Sequence, residues 1–497
     1  MCYIRFSKSR PSRDTCDAFL TLYGLCVRTK REEWTVFLDV VPTHMAEVVV
    51  AAAVQDRSPR GIASAVHRLI RAGRLEAGDR LPTVRDLARE LGVSPATVSE
   101  AWQALAAVGA IQARGRAGTF VLSTQEPSRP ARYLGIGGDP LAEGLNLSTG
   151  TPDPALLPAL RDALERVIAR GGALTTSYLD EPVLPELHDL VMATWPFPPA
   201  RLTVVDGALD ALSRIVDQVV RLGDHVLMEN PGFPPLIDLL ERTGAEIIPV
   251  EMDDEGMTAQ SLAQGLLTNP VAVFVQPRAQ NPTGVSMSAA RCADLAQLLE
   301  GTRCVIVEDD HCGDIATGPD VSLGHYLPER VVHIRSYSKS HGPDLRIAAV
   351  GGSAEVLDPV MARRMLGPGW TSRLLQAALV ELLTDPAAIA AVTRARSAYA
   401  TRSLAVRAGL ASYGVTSSPG DGINAWVTVV DERAALLSLA ARGIRVSPGA
   451  PFMLPGSQGS HIRVTTGVMD EHDLEQLAHV ISALAAAAQA GPTLRGV

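Results

Sequence analysis

VVHIRSYSKSHGPDLRIAAV, residues 331–350, is the stretch on which the reading of this chain turns. It opens on one apolar run, Val331–Ile334, and closes on another, Ile347–Val350, each of a length that suits a buried strand. Between them stands Lys339, preceded by Ser336, Tyr337 and Ser338 and followed seven residues later by Arg346. Lysine occurs elsewhere only at Lys8 and Lys30; arginine carries the rest of the positive charge. Arginine can replace lysine as a surface cation but not as a nucleophile, because a guanidinium does not give up its proton. Lys339 is therefore a candidate for a role that only an amine fills, attack on a carbonyl. The hydroxyls of Ser336 and Ser338, with Arg346 about two helical turns on, suit a phosphate. An aldehyde that also carries a phosphate would be held at both ends.

Working outward, short apolar runs alternate with helical stretches: Leu202–Val205, His225–Met228, Glu246–Val250, Ala272–Val275 and Cys304–Val307. That alternation predicts an α/β domain with a mostly parallel sheet. Polar candidates follow the runs. Asp309, read as lying on the loop after Cys304–Val307, could keep a pyridine nitrogen protonated. Asn281, in Asn281-Pro282-Thr283-Gly284, could donate to a phenolic oxygen, and Phe233, in Asn230-Pro231-Gly232-Phe233-Pro234, could stack on a ring. Gly207, Ala208 and Leu209 open a helix whose first N–H groups suit a phosphate. Taken singly, each has a structural alternative: a turn asparagine, a core phenylalanine, a capping aspartate. From about residue 385 the pattern changes to a long helix, a strand pair near Asn424–Val430 and Ile462–Thr465, and a final helix, which predicts a smaller α+β lobe.

The other end of the chain reads differently. Gly61–Leu75 is amphipathic, with Ile62, Val66, Leu69 and Ile70 on one face. A second short helix follows Pro82-Thr83, and a third runs from Pro95 to Val108, with Ser94 as its N-cap and Pro95 at its first position. Two short strands follow, around Ile111 and Thr119–Leu122. Three helices and a two-stranded wing are the winged helix-turn-helix plan, in which the third helix enters the major groove. Residues 57–122 hold ten arginines against five acids, inside a protein of net charge -9. Arg80 and Arg85, beside Thr83, suit phosphates; Ser94, Thr97 and Ser99 suit phosphate or base contacts. Arg114 and Arg116 form the wing tip, where Gly118 allows a tight turn into the minor groove.

At 497 residues the chain predicts two or three domains. With 46% apolar and 20% charged residues it is neither wholly disordered nor threaded by an apolar run of the roughly 18 residues that cross a bilayer. The six cysteines form no CxxC pair, so neither a metal site nor a disulfide framework is expected, and the location reads as cytoplasmic. Residues 1–55 read as an N-terminal extension without persistent periodicity, with Met45 an alternative start. The head spans 56–122, a Ser, Pro and Gly-rich linker 123–144, and the remaining domain 145–490, divided into a large lobe at about 175–384 and a small lobe at about 385–490.

The run Gly78–Thr119, GDRLPTVRDLARELGVSPATVSEAWQALAAVGAIQARGRAGTF, resembles the head of the GntR family almost without gaps, departing at Pro95, where that family often carries arginine. The motifs from Leu145 to Leu484 resemble class I aminotransferases of fold type I. The two together resemble the MocR subfamily of regulators. The resemblance implies pyridoxal 5'-phosphate as cofactor, with Lys339 as the Schiff-base lysine, Asp309 at the pyridine nitrogen, Asn281 at the phenolic oxygen and Phe233 on the ring. It further implies Ser336, Ser338, Arg346 and the Gly207–Leu209 turn at the phosphate, and Tyr178 reaching the phosphate of a partner subunit in a homodimer. Arg463, in His461-Ile462-Arg463-Val464, matches the arginine that grips an α-carboxylate. Such a regulator would bind a double-stranded operator and sense an amine or amino acid through an external aldimine; a working aminotransferase with an accessory head is the alternative. Departures are His311 where many relatives have tyrosine, Asp206 where serine is usual, Leu209 in place of a polar residue, and the absence of glycines in Tyr178–Pro182.

Overall fold

The computed structural model describes residues 43–107, 109–113, 115, 118–122, 130–137, 144–171 and 177–491, together with three short strands nearer the N-terminus. The chain divides into two units, Met1–Pro127 and Ser128–Val497.

In the first unit, β1 (Tyr3–Phe6), β2 (Cys26–Arg28) and β3 (Trp34–Phe37) form an antiparallel sheet in the order β1-β3-β2. The sequence reading expected no regular structure there; strands of three or four residues are too short to establish a period. Helices follow at Thr43–Ala53, Pro59–Arg71, Val84–Leu91 and Pro95–Ala107, then the hairpin of β4 (Ile111–Ala113) and β5 (Thr119–Val121). The second and third of these helices start for local reasons. Ser58 accepts the N–H of Gly61 and Thr83 that of Asp86, while Pro59 occupies a first-turn position where no N–H is missed. Gly92, at φ 66, ends Val84–Leu91 in the left-handed conformation. The apolar faces meet in a core that includes Ile62, Val66, Leu87, Val98 and Leu105. Thr43–Ala53 packs on the next two helices, with Val50 fully buried, so the folded part begins before residue 56.

In the second unit, β6 (Leu145–Leu147) precedes an eight-stranded sheet. Its strands are β7 (Arg201–Val205), β8 (His225–Asn230), β9 (Glu246–Asp253), β10 (Gly256–Met257), β11 (Ala272–Val275), β12 (Val305–Asp310), β13 (Val331–Ser336) and β14 (Ala348–Gly352). The order is β10-β9-β8-β11-β12-β13-β14-β7. From β9 to β13 neighbours are parallel; β14 runs antiparallel to both β13 and β7. Every residue of β11, β13 and β14 is buried. That explains why these strands read as continuous apolar runs rather than as alternations. The C-terminal ends of β8, β12 and β13 open on one edge, where an open parallel sheet receives its ligand.

The small lobe contains the long helix Pro386–Ser412, the strands β15 (Asn424–Val429), β16 (Ile444–Pro448) and β17 (Ser460–Thr465), and the helix Leu474–Ala488. Its sheet order is β15-β17-β16-β6. β6 thus joins the small lobe from far upstream, parallel to β16. A helix at Ala131–Gly135 falls inside the stretch read as linker. Among the described residues no single helix is long and apolar enough to cross a membrane.

Candidate functional site

Lys339 stands three residues beyond the end of β13, half-buried, and its Nζ donates to the carbonyl of Gly150. Burial pushes its ammonium down to about 8; Arg463 pushes the same way, while Cys312 and Asp309 oppose. A useful fraction of the amine is therefore neutral near physiological pH. The chain between Lys339 and Arg346 is not the two helical turns expected. It turns through Gly342 at φ 112 and a short 3-10 helix, Pro343–Leu345, which returns Arg346 at φ 49 to the start of β14. Gly and Pro forbid a continuous helix there.

Asp309 lies within β12 rather than on a loop after it, because the strand runs on to Asp310. It is buried, and Gln276 Nε2 donates to its Oδ2 at 2.8 Å, while Oδ1 has no hydrogen-bond partner. Burial lifts this carboxyl to about 6. A buried, unpaired carboxylate oxygen is costly unless a donor meets it, and a protonated ring nitrogen is such a donor. Gln276 Oε1 also accepts the Asn281 N–H at 2.8 Å, so one side chain sets both residues. Phe233, at the N-cap of the helix Pro234–Thr243, lines the same narrow cleft as Gln276 and Asp309. His311 Nε2 lies 3.3 Å from Cys312 Sγ, and burial, with Lys339 adding to it, lowers the imidazole to about 4. The ring is neutral at pH 7.

Gly207, at φ 100, precedes the helix Ala208–Val219, whose N-terminus has no side-chain cap. A Cβ at Gly207 would lie 2.7 Å from Arg346 Nη2, which donates to the Asp206 carbonyl at 3.0 Å. The uncapped helix start at Ala208 and Leu209 and the exposed Arg346 guanidinium suit an anion, as does the buried Ser336 at the end of β13, whose Oγ accepts the Ser338 N–H at 3.3 Å. The Asp206 carboxylate has a counter-charge, its Oδ2 lying 3.9 Å from Arg364.

Arg463, on β17, is 2% exposed, and no ion pair satisfies it among the described residues. Its Nη1 donates to Asn281 Oδ1 at 3.2 Å and its Nη2 to the Ser148 carbonyl; Nε has no partner. Burial pulls the guanidinium down to about 9. A buried cation without a counter-charge is a seat for an anion, and the fork suits a carboxylate. Gly150 links the ends of the site: its carbonyl takes Lys339, and a Cβ there would lie 3.1 Å from Arg463 Nη1. The residues present thus fit pyridoxal phosphate, with an amine at one end of the site, an unpaired carboxylate behind, groups that suit an anion, and a carboxylate seat beside it.

Tyr178 does not join this cluster within one chain. It is 91% exposed, with its ring 5.9 Å from that of Trp370. In the head, Arg85 and Ser94 are exposed, and Thr97 is half-buried with Oγ1 2.8 Å from Ser94 Oγ. Thr83 is exposed, but its hydroxyl is engaged with Asp86, donating to Oδ2 at 2.6 Å. Arg80 pairs with Phe120 and lies over Gly118, where a Cβ would come 2.6 Å from its Nε. Arg114 and Arg116 lie outside the described residues. Sequence reading missed Gln276, Ser148, Gly150 and Phe452, whose ring lies 5.0 Å from the Arg463 guanidinium. Only Gln276 left a trace, a polar residue within a buried run shortly before Asn281.

Residues 142–481 match the family model for aminotransferases of class I and II, and residues 60–121 that for bacterial regulatory proteins of the gntR family. A vitamin B6 salvage pathway transcriptional repressor, PtsJ, of Salmonella typhimurium is 35% identical over 86% of this chain and 98% of its own length. The HTH-type transcriptional regulator TauR of Rhodobacter capsulatus is 28% identical over 81% of this chain and 92% of its own. Among solved structures, LysN, an α-aminoadipate aminotransferase from Thermus thermophilus complexed with N-(5'-phosphopyridoxyl)-L-leucine, superposes with a TM-score of 0.63 at 22% identity. The match covers 72% of this chain and 96% of that one.

Proposed function

The chain belongs to the aminotransferase class I and II family and carries a head of the gntR regulatory family, and from that premise we propose a pyridoxal phosphate-dependent transcription regulator that senses an amine or amino acid. The observation that carries this reading is the pairing of Lys339 Nζ and the uncompensated Arg463 on two carbonyls of one segment, Gly150 and Ser148. An amine seat and a carboxylate seat side by side are what an amino acid needs. Bound there, pyridoxal phosphate supplies an aldehyde that condenses with amines. Lys339 would hold it, Asp309 would fix the charge of its ring, Asn281 and His311 would serve its phenolic oxygen, Phe233 would stack on its ring, and Ser336, Ser338, Arg346 and the Gly207–Leu209 turn would take its phosphate. An effector amino acid would set its amine beside Lys339 and its carboxylate on Arg463. The role named for the 35% identical relative makes pyridoxal phosphate itself the first effector to test.

The head would place the helix Pro95–Ala107 in the major groove of a double-stranded operator, a task for the cytoplasm. Two copies fit better than one. Tyr178, Leu179, Met365, Leu366 and Leu374 are all more than half exposed, a patch that a homodimer would cover while bringing Tyr178 to the partner's phosphate.

Fragments of the source genome selected on the purified protein test the regulator reading, and a visible absorption band lost in Lys339→Ala tests the cofactor. Recovery of specific sites together with that band is expected. The intact set of Lys339, Asp309 and Asn281 supports a second reading, a working aminotransferase. Rapid turnover of ordinary donor and acceptor pairs without specific DNA binding would replace the first reading with the second.

A further inference from the structure

Asp309 is not the only carboxyl buried at this end of the sheet. Glu229, the penultimate residue of β8, is 3% exposed and lines the same narrow cleft as Phe233, Gln276 and Asp309. A buried acid is costly, and it persists where its bonds hold something in place. Its Oε2 accepts the main-chain N–H of Gln276 at 3.1 Å, and the Gln280 side chain is its second partner. Burial pushes the carboxyl up to about 8; the bonds from Gln276 and Gln280 oppose the rise, and Asp309 adds to it. At pH 7 Glu229 is therefore mostly uncharged, and a neutral carboxyl still accepts through its carbonyl oxygen.

What these bonds hold is the turn that carries Asn281. Phe274 and Met228 are the last residues paired between β11 and β8. At Gln276 the main-chain N–H has left the ladder, and the Glu229 side chain takes it. The turn then runs through Ala279, at φ 45, and Gly284, at φ 68. A non-glycine residue in the left-handed region is strained and persists only where its surroundings hold it. Gln276, Gln280, Asn281 and Thr283 are all buried. Gln280 Nε2 donates to the Pro231 carbonyl at 2.8 Å, and its Oε1 accepts the Thr283 N–H at 3.0 Å and hydroxyl at 2.7 Å. The Gln276 amide serves other partners, Nε2 donating to Asp309 and Oε1 accepting the Asn281 N–H, each at 2.8 Å. Gln276 is thus fixed at its main chain by one carboxyl and fixes the other with its side chain.

Resting on the cofactor reading above, we propose that Glu229 is a positioning residue, which anchors Gln276 at its main chain and through the Gln276 amide sets both the Asp309 carboxyl and the Asn281 main chain. It acts uncharged, so its own amide can replace it, whereas a side chain without an acceptor cannot. Without Glu229 the Gln276 N–H is buried and unpaired, the end of β11 shifts toward another acceptor, and the amide draws away from Asp309. That amide lowers the Asp309 carboxyl against the rise from burial. Its withdrawal raises Asp309 further and weakens its hold on a protonated ring nitrogen.

The full-length apo protein reads this without the cofactor. The infrared carboxyl signal of Asp309, identified by its loss in Asp309→Asn, is followed over pH. Glu229→Ala is expected to move the midpoint of that signal up by about one pH unit, and Glu229→Gln to leave it within a few tenths of the wild type. Gln276→Ala removes the same bond directly, so adding Glu229→Ala to it moves the midpoint little further; two residues that merely supported the fold would add their effects. Pyridoxal phosphate affinity at pH 7, by titration calorimetry, is expected to fall roughly tenfold in Glu229→Ala and less than about twofold in Glu229→Gln. Should Glu229→Ala fail to fold, Glu229→Leu, which fills the space without an acceptor, takes its place. The proposal is overturned if the variant without an acceptor leaves the Asp309 midpoint where it was, if Glu229→Gln shifts it as far, or if the shifts from positions 229 and 276 add. A wild-type protein that gains no visible band with pyridoxal phosphate would instead sink the cofactor reading, while the Asp309 midpoints still decide whether Glu229 acts through Gln276.

Discussion

At the scale of single residues, burial does the chemical work. It lowers Lys339 to about 8, so the neutral amine grows roughly tenfold per pH unit up to that point and then levels. Cofactor capture by the apo protein, followed by stopped-flow absorbance, is expected to accelerate with pH and flatten near pH 8. A lysine in water would go on gaining toward its ordinary value of 10.5. The same burial lifts Asp309 from 3.8 to about 6. Between those values the folded protein holds a proton that the unfolded chain has released, so this group's contribution to stability falls as pH rises through the window and stays lower above it. Asp309→Asn removes the ionisation and should stabilise the apo protein at pH 7 to 8 by on the order of 1–3 kcal/mol. Its visible band should shift or weaken in the loaded form. Differential scanning calorimetry and absorbance check the two halves, and an apo protein made less stable by the change would contradict the assignment. Lys339 was legible in the sequence because its residue type is scarce and cannot be replaced by arginine. Gln276 was not, because a glutamine's partners are set by whatever the fold brings to its two ends.

Short elements, rather than whole helices, shape the anion site. Gly207 needs its φ of 100, and the space a Cβ would fill is taken by Arg346. Gly207→Ala should lower cofactor affinity by roughly tenfold or more, with the circular dichroism spectrum unchanged. Titration calorimetry distinguishes this from simple unfolding. The glycine and its helix were readable from Gly207-Ala208-Leu209, since a glycine followed by a helix start is a local signal. The path from Lys339 to Arg346 was misread because spacing counts residues, whereas Gly342 and Pro343 decide the backbone route between them. β6 could not be found as part of the small lobe at all. Three residues carry no period, and only pairing with β16 defines them as a strand.

For the molecule as a whole, the exposed patch carries the oligomer expectation. Leu179→Asp combined with Leu366→Asp places charge on side chains 90% and 83% exposed in the single chain. Sedimentation velocity is expected to report a dimer for the wild type and a monomer for this variant, with weaker cofactor retention if, as proposed, Tyr178 serves a partner's phosphate. A doubly substituted protein that stays dimeric and keeps its cofactor would remove Tyr178 from the phosphate. Operator affinity should also fall steeply with salt, since the head's arginines displace counterions from the phosphate backbone.

By itself the sequence determined the two-part plan, the positions of the sheet's buried strands and the candidacy of Lys339 as a nucleophilic amine, because apolar periodicity and irreplaceable residue types are local properties. Only the tertiary structure decided what the site residues face: an unpaired Asp309 oxygen, an Arg463 without a counter-charge, and carbonyls of Ser148 and Gly150 drawn from the far end of the domain. Contacts between residues so distant along the chain leave no pattern in it. They exist only once burial has brought the two ends of the domain together.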